Sequence, residues 1–331
     1  MTLDTIQAAE LDPIIHFQSL PLPLWLMQSF SNLGPSKYLL GAIGIIYLCW
    51  STRLGARLAV AYFTSQAISS CAKLAFHAPR PFWVDSRING FEPDLTSYGF
   101  PSGHAMVGAT IWLLAALFVR RLWFWGVALT AIMLICVSRV WLGSHFISDV
   151  VGGALLAAVF VPCFSKVESA GADRWSRWTI LEKCLVVIAL SLSVFTLNMV
   201  ARSLVSSIPD PAEWAAYAIK GRSLRSSSSC AGAILGMGLG LVMSDRAPKF
   251  NPIGPIWQGA LRLAVVGVGA LLYWLRPRGF LKSLPEELAS VIVFVALAFA
   301  ALAFFFALPQ LFLRVGLAEK VEKFGSSGVS S

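Results

Sequence analysis

Charge is scarce in this chain: 13% of its 331 residues are Asp, Glu, Lys or Arg, about half the share a soluble domain carries. Hydrophobic residues make up 57%, the mean hydropathy is +0.72, and uncharged apolar runs recur along the whole length. That pattern excludes disordered and fibrous classes and reads as a polytopic membrane protein. Acidic residues are the scarcer sign, 17 against 26 basic, giving a net charge of +9. The excess does not point to nucleic acid, because the cations gather in the loops between apolar runs, as membrane topology demands. The six cysteines (Cys49, Cys71, Cys136, Cys163, Cys184, Cys230) lack CxxC or other metal-site spacing, so they read as small buried hydrophobes. The basic start and apolar core of a cleavable signal are missing from the acidic opening "MTLDTIQAAELDP". The stretch that follows, up to Gly34, is broken by Pro21 and Pro23 and reads as an interfacial helix on the bilayer rather than a span.

Nine stretches are apolar and long enough to suggest spans: about 36–52, 56–76, 103–119, 122–138, 146–164, 179–200, 228–243, 258–275 and 287–313. The expected fold is therefore all-α, a membrane helical bundle. The second stretch is the most polar, with Ser65, Gln66, Ser69, Ser70 and Lys73, and should face protein rather than lipid. If the spans alternate, Arg53 and Arg57, Arg120 and Arg121, Lys166 to Lys183, and Arg246 with Lys249 all fall on one side, which is then cytoplasmic. That puts the N-terminus outside and the C-terminus on the cytoplasmic side. The basic loop 201–227 fits the scheme poorly, since it falls outside. The domain plan is an interfacial segment (1–35), a core (36–165), a linker (166–178), a four-helix membrane region (179–315) and a flexible tail (316–331). No internal repeat is visible.

Three polar clusters interrupt the apolar pattern: Lys73 with Arg80 and Pro81; Pro101, Ser102, Gly103 and His104; and Ser138, Arg139, His145 and Asp149. The alternating scheme brings all three to the face opposite the basic loops. Singly, each has an ordinary explanation: a cation snorkelling to headgroups, a turn, a helix-end carboxylate. Together they place three cations, two histidines and a carboxylate at one end of one bundle. Lys73, Arg80 and Arg139 suit a strongly anionic group, arginine offering bidentate bonds to phosphate oxygens. Ser102 adds a hydroxyl, and Gly103 allows close backbone approach at a helix start. No carboxylate cluster is present to hold a metal, and no cofactor is implied. His145 and Asp149 are four residues apart, one helical turn, so the carboxylate can hold one ring nitrogen and free the other for attack. His104 is placed to protonate a leaving oxygen.

The spacing Lys-x6-Arg-Pro, Pro-Ser-Gly-His and Ser-Arg-x5-His-x3-Asp resembles the type 2 phosphatidic acid phosphatase (PAP2) superfamily, over roughly residues 60–165. The loop from Lys73 to Met106 looks most like bacterial members related to sphingosine-1-phosphate phosphatases. The resemblance implies a metal-independent phosphomonoesterase with a phosphohistidine on His145, Asp149 as its partner and His104 as acid and then base. It implies that Lys73, Arg80, Ser102, Gly103 and Arg139 hold the phosphate. A site at the bilayer surface favours a lipid phosphate or pyrophosphate as substrate. A soluble ester, as in glucose-6-phosphatase, and a lipid transporter with a vestigial site are the alternatives. Phe82, Trp83, Phe91, Tyr98 and Phe100 suggest either an interfacial anchor or a lid over the pocket, with Asp85, Arg87, Glu92 and Asp94 available to tune headgroup choice. Gly232 and Gly236, at GxxxG spacing, suggest close helix packing.

Overall fold

The computed structural model describes residues 2–35, 37–275 and 283–320. Residues 321–331, the end of the expected flexible tail, lie outside them. Two helices open the chain, α1 (Leu3–Gln18) and α2 (Leu24–Ser31). The membrane bundle begins with α3 (Lys37–Cys49) and α4 (Thr52–Phe76). A single turn, α5 (Pro81–Val84), precedes α6 (Gly103–Val119), α7 (Leu122–Trp141) and α8 (Ile147–Arg177). Then come α9 (Ile180–Leu204), α10 (Arg225–Ser244), α11 (Ile256–Leu275) and α12 (Glu286–Leu302). The last passes through a π-helical turn (Ala303–Ala307) into α13 (Leu308–Arg314). No strand occurs among the described residues.

Each of the nine expected stretches contains a helix among the described residues. Among the described residues, five helices are long and apolar enough to cross a membrane: Leu122–Trp141, Ile147–Arg177, Ile180–Leu204, Arg225–Ser244 and Glu286–Arg314. The first expected span falls short. Ser51 caps a new helix after Cys49, so α3 has 13 residues, about 20 Å at 1.5 Å per residue against a core of about 30 Å. The expected linker 166–178 is not a loop either, since α8 runs unbroken through it to Arg177.

Lipid-facing and protein-facing stripes separate cleanly. On α8, Val151, Leu155 and Val159 are exposed at four-residue spacing, while Val150, Gly153, Ala157 and Val161 are buried. In lipid, helix association depends on close packing by small residues rather than on water exclusion. Gly153 supplies it here: a Cβ there would run into the carbonyl of Ser102 and come within 3.1 Å of Ala105 on α6. The polar α4 lies inside the bundle, against α3, α6, α8, α9 and α10, with Ser65 and Ser69 fully buried. The cysteines are less uniform than expected. Only Cys230 is buried, while Cys163 is exposed on α8.

The GxxxG pair does pack closely. A Cβ on Gly232 or Gly236 of α10 would strike the backbone of Phe294 or Ala298 on α12. Gly236→Leu should destabilise the bundle by about 1–3 kcal/mol or more, read as a lower melting temperature in detergent. Gly267→Leu, where nothing lies within 4 Å of a Cβ, is the control and should melt like the parent.

The basic loops meet at one end. Arg57 pairs with Glu168 at 2.7 Å and donates to Ser165 at 3.1 Å. Lys183 pairs with Asp245 at 3.0 Å, and the rings of Trp50 and Phe118 lie 6.3 Å apart. The polar clusters occupy the other end. Loop 205–224 also lies there: the backbone N–H of Lys220 donates to the carbonyl of Thr96 at 3.1 Å, and Trp214 packs on Trp83 and Tyr98. The poorly fitting basic loop is thus on the site side.

Candidate active site

Lys73 sits near the end of α4, which closes at His77 in a left-handed conformation (φ 50°). That turn redirects the chain so that Arg80 reaches back over the bundle. The Lys73 ammonium donates to the carbonyls of Tyr98 (2.5 Å) and Gly99 (2.9 Å). Arg80 donates to the carbonyls of Ser97 (2.7 Å), Ser144 (2.7 Å) and Tyr98 (3.3 Å) and to the Ser97 hydroxyl (3.1 Å). Loop carbonyls therefore fix both cations without neutralising them. Burial and then the Arg139 charge push Arg80 down to about 9, which leaves it charged at neutral pH. Gly99 is required beside them, because a Cβ there would strike the Pro79 carbonyl and come within 3.1 Å of Asp149 Oδ2.

α7 ends at a glycine turn, Gly143 (φ 69°), and His145 lies between that turn and α8. Its Nδ1 donates to Asp149 Oδ2 at 3.1 Å. The same oxygen accepts from the Phe146 backbone N–H at 3.0 Å, so Asp149 also caps its own helix. With Nδ1 held, Nε2 is the free nitrogen, 3.3 Å from Arg80 Nη1. Burial and the charges of Arg80, Lys73 and Arg139 lower the His145 pKa, which keeps the imidazole neutral and nucleophilic. His104, from the first turn of α6, lines the same cavity. Among the described residues no hydrogen bond engages its ring.

The cavity has a volume of about 230 Å³ and is walled by Lys73, Arg80, Gly103, His104, Arg139 and His145. Three separate motifs therefore converge, as expected. Ser102 does not join the wall. Its hydroxyl is buried as the N-cap of α6, accepting from the Ala105 N–H at 3.4 Å, and its own N–H donates to the Asp149 carbonyl at 2.9 Å. It couples the second motif to the third rather than offering a phosphate contact.

Arg139 is fully buried. It donates to the Ser31 hydroxyl of α2 at 2.7 Å and pairs with Glu92 at 2.6 Å. Its Nε has no partner among the described residues, a donor suited to an incoming oxyanion. Glu92 also accepts from the Ser144 hydroxyl at 2.9 Å. Burial raises its pKa, but the Arg139 charge and the bonds from Arg139 and Ser144 outweigh that and hold it below the ordinary value. A carboxylate thus occupies the cation that a bound phosphate would engage. Glu92→Gln should tighten inhibition by inorganic phosphate or vanadate several-fold at neutral pH. An unchanged or weaker inhibition constant would show that Glu92 does not compete.

The loop aromatics differ from expectation. Trp83 and Tyr98 are buried against Trp214, and Phe91 stacks on Trp141 with ring centroids 5.1 Å apart. They pack on protein rather than forming a lipid-facing lid. Asp85 and Arg87 pair with each other at 2.7 Å, away from the pocket. The sequence reading missed Gln7, Glu10, Ser31, Ser97 and Ser144. All act from loops or the N-terminal helices, where no periodicity marks them. Gln66 and Ser69 did leave a signal, since with Lys73 they fall at three- and four-residue steps on the polar face of α4. Gln66 lines the cavity.

A helical membrane bundle with a buried cationic pocket and a carboxylate-held histidine defines a membrane-embedded phosphatase. The chain carries a PAP2 superfamily domain over residues 54–170, followed by a PAP2 superfamily phosphatase transmembrane extension over residues 228–320. It is 26% identical over 163 residues to an undecaprenyl-diphosphatase of Sulfolobus acidocaldarius, covering 49% of this chain and 79% of that one. It is 30% identical over 142 residues to a phosphatidylglycerophosphatase B of Bacillus subtilis, covering 38% of this chain and 66% of that one. Neither relative is a sphingosine-1-phosphate phosphatase, so that finer likeness gains no support from them. No solved structure matches.

Proposed function

We propose that this protein is a metal-independent lipid phosphate phosphatase that hydrolyses a phosphomonoester or pyrophosphate through a phosphohistidine on His145. The observation that carries the reading is the His145–Asp149 pair, Nδ1 held at 3.1 Å, with Nε2 turned to a cavity walled by three cations and His104.

The chemistry follows from these groups. Lys73, Arg80 and Arg139 hold the phosphoryl oxygens and stabilise charge as it spreads over them in the transition state. His145 Nε2 attacks phosphorus as the bond to the leaving oxygen breaks, and His104 gives that oxygen its proton. Neutral His104 then takes a proton from water, the water oxygen attacks phosphorus, and the phosphorus–nitrogen bond breaks. Inorganic phosphate leaves and His145 is restored. Asp149 stabilises the charged imidazole while the phosphoryl group is attached.

The substrate is a membrane lipid. The relatives named for an undecaprenyl diphosphate and a phosphatidylglycerophosphate support this class, as does a pocket at the end of a bundle whose flanks suit lipid. The site faces the extracytoplasmic side of a bacterial inner membrane, with the N-terminus outside and the C-terminus cytoplasmic. The basic loops at the opposite end support that orientation.

The test is phosphate release by purified protein in detergent across long-chain lipid phosphates, lipid pyrophosphates and short soluble esters. A higher kcat/KM for a lipid substrate is expected, with activity unchanged by EDTA. Equal or better turnover of soluble esters would overturn the substrate class. EDTA inhibition reversed by magnesium would overturn the mechanism, and absence of hydrolysis would favour a transport role.

A further inference from the structure

The N-terminal helix lies outside both matched family segments, yet it touches the catalytic pair. Gln7 is 3% exposed, and its side-chain Nε2 donates to Asp149 Oδ1 at 3.1 Å. One turn on, Glu10 accepts from the Ser148 backbone N–H at 2.9 and 3.1 Å and from the Ser148 hydroxyl at 3.1 Å. Glu10 thus binds the open N-terminus of α8, where an anion is favoured. Gln18, at the other end of α1, donates to the carbonyls of Trp141 (2.8 Å) and Asn89 (3.0 Å). Helix α1 is clasped at both ends across the segment that carries His145.

Asp149 has two oxygens to satisfy in a buried setting. Oδ2 accepts from His145 and Phe146, and Oδ1 accepts from Gln7. Without Gln7, the carboxylate is free to rotate about its terminal bond and offer His145 a poorer alignment. We propose that Gln7 is a positioning residue, and that α1 is a bracket this chain adds to orient the aspartate that holds the nucleophile. Its role is to fix the Nδ1 hydrogen bond, so that Nε2 points at phosphorus. This rests on the phosphohistidine reading of the same site.

Gln7 touches no part of the cavity that receives phosphate, so its loss should fall on kcat. Gln7→Ala should lower kcat roughly 10- to 100-fold, the range for losing a hydrogen bond to a charged group. KM should stay within about threefold and the melting temperature should hold. Gln7→Glu adds a pH signature. Around this position stand Asp149, Asp4 and Glu10, with His77 and Glu213 across the neighbouring groove and His145 behind Asp149. At neutral pH the new carboxylate repels Asp149, so kcat should fall below that of Gln7→Ala. As pH is lowered a shared proton restores a donor, and the deficit relative to the parent should shrink.

The experiment measures kcat, KM, melting temperature and the pH profile for the parent, both Gln7 variants and His145→Ala. The kcat-selective loss with acid recovery in Gln7→Glu is the expected result. A Gln7→Ala kcat within twofold of the parent would overturn the proposal. So would a loss that follows falling thermal stability, with no acid recovery. If His145→Ala stays active, the phosphohistidine reading itself fails. If it is inactive while Gln7→Ala is normal, only the bracket fails.

Discussion

His145→Ala should reduce phosphate release by on the order of 10⁴-fold or more, while leaving substrate binding nearly intact. The three cations proposed to hold the phosphate come from other segments: Lys73 from α4, Arg80 from the turn after it, Arg139 from α7. Their own anchors are loop carbonyls and the Ser31 hydroxyl, with a single contact, Arg80 to Nε2, lost on truncation. The pocket therefore keeps its charge and gains a small space. Bound phosphate analogues should still protect the variant against thermal unfolding. A residual rate within tenfold of the parent would mean that water attacks phosphorus directly, with His145 only assisting.

His104→Ala should slow turnover of lipid substrates by about 10²- to 10⁴-fold, and the deficit should depend on the leaving group. A lipid alcohol is a poor leaving group and needs its proton as the bond breaks. A nitrophenolate does not. With nitrophenyl phosphate, the variant should release nitrophenol in a rapid first turnover and then stall, because the base that activates water is gone. A phosphoenzyme should accumulate. His104 lines the same cavity as His145 and carries no competing hydrogen bond among the described residues, which fits both proposed roles. A variant equally slow with both leaving groups, without a burst, would assign His104 to phosphate binding instead.

The parts of this site that the sequence shows and hides divide along a physical line. Lys73, His104, Arg139, His145 and Asp149 stand out because lipid-compatible helices tolerate no charge or imidazole without cause. Membrane alternation then brought them to one end. Ser102 was legible as part of a motif but not in its function, since its hydroxyl caps α6 and sequence alone does not say which way a serine faces. Glu92 lay in a loop with several acids, and only the fold shows that it alone reaches Arg139. Gln7 and Ser31 carried no signal, because their significance depends on where two short helices come to rest. The same holds at the scale of the chain. Periodicity and length located the helices, while the short α3 and the unbroken α8 turned on a serine cap and on the absence of proline between Lys166 and Arg177, where the helix carries Gly171 without breaking.

The central claim is covalent chemistry at His145, and trapping tests it directly. Purified protein is mixed with a phosphate-labelled lipid substrate, quenched in alkali within a turnover, digested and mapped. A phosphoryl group on imidazole nitrogen survives base and is lost in acid. The account predicts acid-labile, base-stable label on the peptide containing His145 and none in His145→Ala. Label on another residue, or full turnover by His145→Ala without a trapped species, would contradict it.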